Sequence, residues 1–170
     1  GGVIVAWENS VAPPQLRNIE ARRFGANGAP LDPVEFQVNA YTSESQLRPE
    51  VAAGPAGDFI VVWDSNGSFG SDDSGTSIQA RRFSANGAPL DPVEFQVNTF
   101  EYGFQFDPVV AVAPRGDFVV AWYSQFSPGS VPWGAVMLRR FSADGTPLDP
   151  AELQANTYTT GNQGAASVAV

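Results

Sequence analysis

The sequence predicts an all-β fold that is β-propeller-like and consists of three tandem four-stranded blades. Three apolar runs end in Trp7, Trp63 and Trp122, and these tryptophans lie 56 and 59 residues apart. Each run is followed by an Asn-Gly or Asp-Gly pair, which is typical of hairpin turns. No window shows a sustained 3.6-residue hydrophobic period. Self-similarity at this spacing, with four short strand segments in each unit, is typical of propeller blades.

The repeat covers the whole chain. Residues 24–39 match residues 83–98 at every position except one, where Gly25 stands against Ser84. Residues 141–156 form a third, more divergent copy. We therefore treat residues 1–170 as one repeat domain with units of 56–59 residues, cut inside one tight turn of the repeat. Repeat 1 covers about residues 1–48 plus 166–170, repeat 2 about residues 49–107, and repeat 3 about residues 108–165.

The four predicted strands of a repeat differ in composition. The first strand is rich in valine and alanine, which suits a crowded innermost position, and the second is apolar throughout, as expected for a strand buried on both faces. The third carries two arginines and a phenylalanine, and the fourth follows the turn and its prolines. The stretch Asn39–Pro49 is expected to cross to the next blade. In repeat 2 the strands are predicted at Val51–Ala53, Phe59–Trp63, Ile78–Phe83 and Glu94–Asn98.

The first and last residues are expected to form one strand pair. Residues 166–170 align with the first strand of repeat 2, whereas residues 3–7 align with its second strand. The C-terminal strand should therefore complete the first blade, either within one chain or with the next copy. We expect the inter-copy version, because three blades would close around a poorly filled axis. The residues assigned to this closure are Val3, Ile4, Val5, Trp7, Val168 and Val170.

The ionisable residues exclude much catalytic chemistry. The chain has 9 Lys+Arg, all of them arginine, and 18 Asp+Glu, for a net charge of −9; histidine, lysine and cysteine are absent. This excludes a Ser-His-Asp triad, a thiol nucleophile, a disulfide, a zinc site with His or Cys ligands, and a Schiff-base lysine. The negative charge opposes nucleic-acid binding, and no run of 18 apolar residues predicts a membrane span. We expect a protein that is not an enzyme.

One polar loop has the spacing of a calcium loop. Asp64, Asn66, Ser68 and Asp72 place oxygen side chains at loop positions 1, 3, 5 and 9. Calcium takes six to eight hard oxygen ligands, and a glycine-containing loop can wrap it. The corresponding loops of the other repeats lack the pattern, and a bidentate glutamate is missing. Calcium is thus the one cofactor hypothesis, and a solvated polar loop is the alternative.

Each repeat carries a pair of adjacent arginines on its third strand. Neighbouring strand residues face opposite ways, so each pair directs one arginine to each face of the sheet. An arginine between blades needs a carboxylate partner, because its guanidinium stays charged. We expect structural ion pairs with Asp58 and Asp117, or with Glu35, Glu94 and Glu152, rather than an anion or sugar site. The arginines are Arg22, Arg23, Arg81, Arg82, Arg139 and Arg140.

Aromatic residues outside the repeat pattern are candidates for a contact surface. Tyr102, Phe104 and Phe106 fall at every second position of one segment, and Trp133 lies in a loop that has no counterpart. Aromatic side chains are enriched at protein interfaces. We expect these residues to lie in a contact between chains or between stacked repeats. Stacking on sugar rings and local packing over the blade edge are the alternatives.

The repeat pattern resembles a bacterial tandem-repeat family of very long secreted and surface proteins. Units of that family read G-x-F-V-V-x-W, a polar loop, I-x-A-R/Q-R-F, A-N-G-x-P and E-F-Q-V-N. The corresponding segments here are residues 57–63, 78–83, 85–89 and 94–98, and the resemblance covers the whole chain. It implies an extracellular or cell-surface location and β-propeller-like blades. The blades are similar, more weakly, to the FG-GAP repeats of integrin-type propellers.

Together these observations favour a structural module of a secreted or cell-surface assembly, such as a fibre or an adhesin. Its expected partner is itself, as a homo-oligomer or fibre, or neighbouring repeats of a longer chain. A carbohydrate-binding propeller with glycan partners is the main alternative. A lectin should repeat its aromatic pocket in every blade, whereas the additional aromatic stripe falls in one repeat only. A carboxylate glycosidase is the remaining alternative, and no pair of Asp or Glu stands out from the repeat background to support it.

Overall fold

The protein is all-β, as predicted. The computed structural model describes residues 2–10, 16–72, 74–126 and 133–170, and these ranges contain strands but no helix. Accordingly, none of the described residues forms a helix long and apolar enough to cross a membrane. The strands are β1 Val3–Ser10, β2 Arg17–Phe24, β3 Phe36–Gln37, β4 Gln46–Ala53, β5 Phe59–Ser65, β6 Gly75–Phe83, β7 Phe95–Gln96, β8 Gly103–Val112, β9 Phe118–Ser124, β10 Ala135–Phe141 and β11 Leu153–Gln154.

The strands form two sheets. The first sheet consists of β1, β2 and β3, which we call the first repeat; β4–β7 form the second repeat and β8–β11 the third. Within each repeat, neighbouring strands pair antiparallel. The second and third repeats share the second sheet, because Gly75 and Thr76 of β6 pair in parallel with Gly103 and Phe104 of β8. The described strands do not close into a ring.

The fourth strand of each repeat is shorter than predicted, with only two residues in β3, β7 and β11. An asparagine side chain ends the ladder. Asn39 Oδ1 accepts the hydrogen bond of the Ile19 amide at 2.7 Å, and Asn98 Oδ1 accepts that of the Ile78 amide at 2.8 Å. Asn156 binds the Val136 amide in the same way at 2.9 Å. Because a side chain occupies the donor of the third strand, the fourth strand pairs no further.

The first strands are longer than predicted and contain an irregularity. β4 begins at Gln46, so part of the expected crossing segment is strand. The pairing of β4 with β5 shifts between Leu47 and Glu50. Arg48 lies at this shift with φ 51°, and Asp107 holds the same place in β8 with φ 53°. Each first strand therefore bends at one residue with a left-handed backbone.

The expected pairing of the C-terminal residues with β1 does not occur within one chain. Residues 155–170 contain no strand, and β1 pairs only with β2 among the described residues. The two segments lie in repeats at opposite ends of the order of strands. The intramolecular version of the closure is therefore wrong for this structure, and the version between copies stays a prediction.

Two apolar cores fill the spaces between neighbouring repeats. Phe59, Val61 and Trp63 of β5 belong to the core shared with the first repeat, whereas Ile60 and Val62 belong to the core shared with the third. The second strand of the middle repeat is therefore buried on both faces, as its composition predicted. In β1 the outward-facing residues have no such neighbour. Val3 is 57% exposed and Val5 is 45% exposed.

Candidate functional site

Among the described residues, β1 has a free strand edge on the side away from β2. The counterparts of β1 each have two neighbours, since β5 lies between β4 and β6, and β9 lies between β8 and β10. In the part of the chain that the structure describes, β1 has a neighbour only on its β2 side. Its other edge presents backbone N–H and C=O groups in the geometry that another strand can bind.

Residues 162–165 are held where a first strand would begin. Ala165 has φ 56°, and it aligns with Arg48 and Asp107, which share this left-handed backbone. The Gln163 amide donates to the Gly134 carbonyl at 3.1 Å, and the Gly134 amide donates to Asn162 Oδ1 at 3.0 Å. These contacts attach the segment to the third repeat much as β8 is attached to the second. The segment therefore begins where a first strand would begin, although it pairs with no second strand among the described residues.

One arginine of each pair bridges to the preceding repeat. Arg81 Nη1 donates to the Val38 carbonyl at 2.8 Å, and Arg139 Nη1 donates to the Val97 carbonyl at 2.9 Å. Arg81 lies over the ring of Phe83 in its own strand at 5.7 Å. Among the described residues these two arginines and their counterpart Arg22 make no ion pair, so the prediction of ion pairs is wrong for three of the six. Backbone carbonyls and an aromatic ring satisfy their guanidinium groups instead.

The other arginine of each pair forms the predicted ion pair, but with a different carboxylate. Arg82 pairs with Asp91 at 2.5 Å and Arg140 pairs with Asp149 at 2.6 Å. Arg23 pairs with Asp32 in the same way. These aspartates come from the Leu-Asp-Pro segment. The sequence predicted other partners, namely Asp58, Asp117, Glu35, Glu94 and Glu152. The arginine side chains hold the pKa values of the Asp32 and Asp149 carboxyls below their usual range, mainly through hydrogen bonds.

The same arginines reach forward to the next repeat. Arg23 Nη1 donates to the Ala85 carbonyl at 2.6 Å, and Arg82 Nη1 donates to the Ala143 carbonyl at 2.8 Å. The pair Arg81 and Arg82 therefore connects the second repeat to both neighbours, as the alternation along the strand predicted. Arg140 has no such acceptor among the described residues, and its side chain is 57% exposed.

The glutamate of the fourth-strand segment binds the backbone of the preceding repeat. The Glu94 carboxylate accepts hydrogen bonds from the amides of Ala40 and Tyr41, both at 2.8 Å. Glu152 accepts from the amides of Thr99 at 2.9 Å and Phe100 at 2.7 Å. A carboxylate that receives two backbone N–H groups is a directional connection between repeats. The sequence marked these glutamates but predicted arginine partners for them.

Arg48 connects all three repeats. Its side chain binds Asp64 in the second repeat at 2.7 Å and Asp107 in the third at 3.1 Å. Its backbone amide donates to Glu8 Oε1 in the first repeat at 2.8 Å. Burial raises the pKa of Asp64 to about 6, against the hydrogen bonds and the charge of Arg48, which act to lower it. The sequence did not single out Arg48, because the matching positions of the other repeats hold different residue types.

Three of the four candidate calcium ligands have hydrogen-bond partners within the protein. Asp64 is fully buried and binds Arg48, whereas an oxygen of Asp72 accepts a hydrogen bond from Asn98 Nδ2 at 2.8 Å. Ser68 Oγ accepts the amide of Gly70 at 3.0 Å, and Asn66 is exposed. No group of three or more Asp and Glu suited to a metal ion occurs among the described residues. Calcium binding here would have to displace Arg48, and it stays a prediction.

The candidate contact aromatics divide into two kinds. Tyr102 is 65% exposed, Phe104 is 50% exposed and Trp133 is 42% exposed. Phe106 is half-buried, with its ring centre 4.6 Å from that of Tyr123 and 5.3 Å from the guanidinium carbon of Arg48. Phe106 therefore packs where the second and third repeats meet, whereas the other three present their rings to solvent. Their role in contacts between chains stays a prediction.

Comparison with known proteins adds no relative. No family model matches the chain, and no curated protein matches it. The resemblance to secreted tandem-repeat proteins therefore rests on the repeat motifs themselves.

Proposed function

We propose that this chain is a non-enzymatic structural repeat module of an extracellular or cell-surface assembly, which associates with further copies by strand addition. The observation that carries the proposal is the free edge of β1, together with the first-strand position in which residues 162–165 lie. β1 pairs only with β2 among the described residues, and residues 162–165 are held where a first strand would begin. Strand addition between copies would supply each with its missing neighbour through main-chain hydrogen bonds.

We further propose that each repeat is a propeller-like blade within such an assembly. The four-stranded antiparallel order of the second repeat and the apolar cores between repeats support this interpretation. In a row of blades, the Val- and Ala-rich first strands would lie innermost. The extracellular location is inferred from the secreted repeat pattern that the chain resembles.

Truncation of the C-terminal strand tests the proposal. A chain that lacks residues 167–170 should stay monomeric under conditions in which the full chain associates, as measured by sedimentation velocity. These residues contribute little to the folded unit, so its β-sheet circular dichroism should be unchanged. A truncated chain that associates as strongly as the full chain would show that strand addition is not the mode of assembly.

Carbohydrate binding is a second candidate, favoured by the exposed ring of Tyr102 beside Phe126. The two ring centres lie 5.9 Å apart, and such paired rings offer a surface on which sugars stack. A glycan array distinguishes the candidates, since glycan hits that vanish on Tyr102→Ala would favour the sugar-binding function.

A further inference from the structure

We infer that the outer face of the first repeat docks on the outer face of the third repeat of a second copy, head to tail, through the same polar connections that join the repeats inside one chain. This inference rests on the proposed assembly and names its interface. We call the outer face of the first repeat the front face and that of the third repeat the rear face. The front face carries Val3, Val5, Arg22, Gly28 and Glu35, and the rear face carries Val136, Leu138, Arg140, Leu153 and Tyr158.

The two internal contacts between repeats supply the template. In both, an arginine donates to a carbonyl of the preceding repeat, a second arginine donates to a carbonyl of the following repeat, and a glutamate accepts two amides of the preceding repeat. Alignment of the repeats identifies the groups that correspond to these donors and acceptors but have no neighbouring repeat to bind; we call them the unused members. At the front face they are Arg22, Glu35 and the Ala26 carbonyl. The unused members at the rear face are Arg140, the Ala155 carbonyl and the amides of Thr157 and Tyr158.

Glu35, Arg140 and Tyr158 are each more exposed than their counterparts at the internal contacts. Glu35 is exposed and has no hydrogen bond among the described residues, but Glu94 at the same place in the second repeat is 4% exposed. The Arg140 side chain is 57% exposed, against 15% for Arg82. Tyr158 is 65% exposed, whereas Tyr41 is half-buried. Both faces thus carry the polar groups of the contact without the partner that satisfies them.

The hairpin-turn glycine of the front face has open space above it, whereas an arginine fills that space at both internal contacts. A Cβ at Gly87 would lie 2.8 Å from Cζ of Arg23, and one at Gly145 would lie 2.9 Å from Cζ of Arg82. A Cβ at Gly28 would meet nothing within 4 Å. The space over Gly28 is the space that an arginine of the preceding repeat occupies at both internal contacts. In the inferred interface Arg140 of the second copy would fill it.

The apolar parts of the two faces also fit the template. Val3 and Val5 stand at the positions of Phe59 and Val61, which are buried against the first repeat. On the rear face Val136 and Leu138 stand at the positions of Ile78 and Ala80, which are buried against the third. Because front and rear are different surfaces, the contact is heterologous and can repeat without closing. The partner that this geometry fits is a second copy of the chain.

Two single substitutions test the inference without removing the C-terminal strand. Glu35→Arg places a cation where two amides of the rear face would donate, and Leu138→Arg places a charge in the apolar part of the rear face. Each variant alone should lose at least tenfold in association constant by sedimentation velocity. Mixed in equal amounts, the two variants should form dimers and nothing longer, because one retains an intact rear face and the other an intact front face. Glu44→Arg, an exposed residue outside both faces, should associate like the wild type.

The outcomes separate this inference from the proposed function. If truncation of residues 167–170 prevents association while the two arginine variants associate normally, strand addition stands and the head-to-tail interface is overturned. If the mixture stays monomeric while the wild type associates, the interface is not head to tail. If the wild type does not associate at any concentration, the inferred head-to-tail interface is overturned as well. Where Leu138→Arg lowers the melting temperature, Arg140→Ala replaces it, since that side chain lies on the same face and is exposed.

Discussion

Arg48 donates two hydrogen bonds to the buried carboxylate of Asp64, from Nε to Oδ1 at 2.7 Å and from Nη2 to Oδ2 at 2.9 Å. Asp64 lies at the end of β5 and is fully buried, while the Arg48 side chain is 45% exposed. The ion pair fixes the bent first strand of the second repeat to its second strand. Because Arg48 also contacts the first and third repeats, protonation of the Asp64 carboxyl alters the contact at which the three repeats meet.

The raised pKa of Asp64 predicts a loss of stability as the pH rises. Between about pH 4 and pH 6 the unfolded chain releases this proton while the folded protein retains it, because its pKa is 3.8 in the unfolded reference and about 6 when buried. The contribution is at most about 3 kcal/mol, from 1.36 kcal/mol per pKa unit. The free energy of unfolding of the wild type, minus that of Asp64→Asn, should therefore fall from pH 4 to pH 6.5.

The comparison with Asp64→Asn is needed because other carboxyls act in the opposite direction. Hydrogen bonds from the paired arginines lower the pKa values of Asp32 and Asp149, so their contribution is present above the unfolded pKa and is lost as the pH falls. These groups are the same in both proteins, so they cancel in the difference. A difference that is flat between pH 4 and pH 6.5 would show that Asp64 is ionised throughout.

The turn glycines predict unequal costs for one substitution. Gly28→Ala and Gly87→Ala both place a side chain at positive φ, 77° and 82°, at a cost of about 1 kcal/mol. Only at Gly87 does the new Cβ collide with Arg23, which has to give up its contact with the next repeat. Thermal unfolding of the dilute chain should therefore show a clearly lower melting temperature for Gly87→Ala. Equal melting temperatures would mean that Arg23 moves aside without cost.

The asparagine at the end of each fourth strand predicts a localised loss of stability. Asn98→Ala leaves the buried Ile78 amide without its acceptor, which costs about 1–3 kcal/mol. Hydrogen exchange at the Ile78 amide should accelerate by more than the global change in stability explains. Asn156→Ala is the matched comparison and should cost less, because Asn156 is only half-buried. Unchanged exchange at Ile78 would show that water replaces the side chain.

The aromatic segment predicts two different phenotypes. Changing both Tyr102 and Phe104 to Ser should weaken association while the melting temperature stays within about 1 °C, because surface substitutions usually change stability little. Phe106→Ser should instead lower the melting temperature, because its ring packs on Tyr123 and beneath Arg48. Sedimentation and thermal unfolding measured on the same samples separate the two effects. If all three changes act on stability alone, the segment has no role in contacts between chains.

The sequence was sufficient for the strand content and for the orientation of the arginines. Apolar runs ending in Trp63 and Trp122 became β5 and β9, and adjacent residues such as Arg81 and Arg82 reach opposite neighbours. The partners of these arginines could not be deduced from the sequence. Asp91 lies nine residues after Arg82 across a hairpin, and only the path of the turn brings their side chains together.

The short fourth strands and the contacts of Arg48 also could not be predicted from the sequence. From the strand pattern alone, Asn98 could equally be a paired strand residue. Only the structure shows that its side chain accepts the Ile78 amide and so ends the ladder. Arg48 has no arginine at the matching positions Asp107 and Ala165, so a search for repeated residues passes over it. The three positions share a left-handed backbone, but they are occupied by three different residue types, so the sequence does not reveal it.

That shared backbone at Ala165 also has a kinetic consequence. Because residues 162–165 are already held against the third repeat, an incoming copy would have to order only the last five residues of the segment. Ordering costs about 1–2 kcal/mol of conformational entropy for each residue whose backbone is fixed. Residues 162–165 are already ordered in the single chain, so this part of the entropy is lost during folding and not during association. Association should then be limited by orientation of two rigid bodies rather than by a slow search of a loose tail.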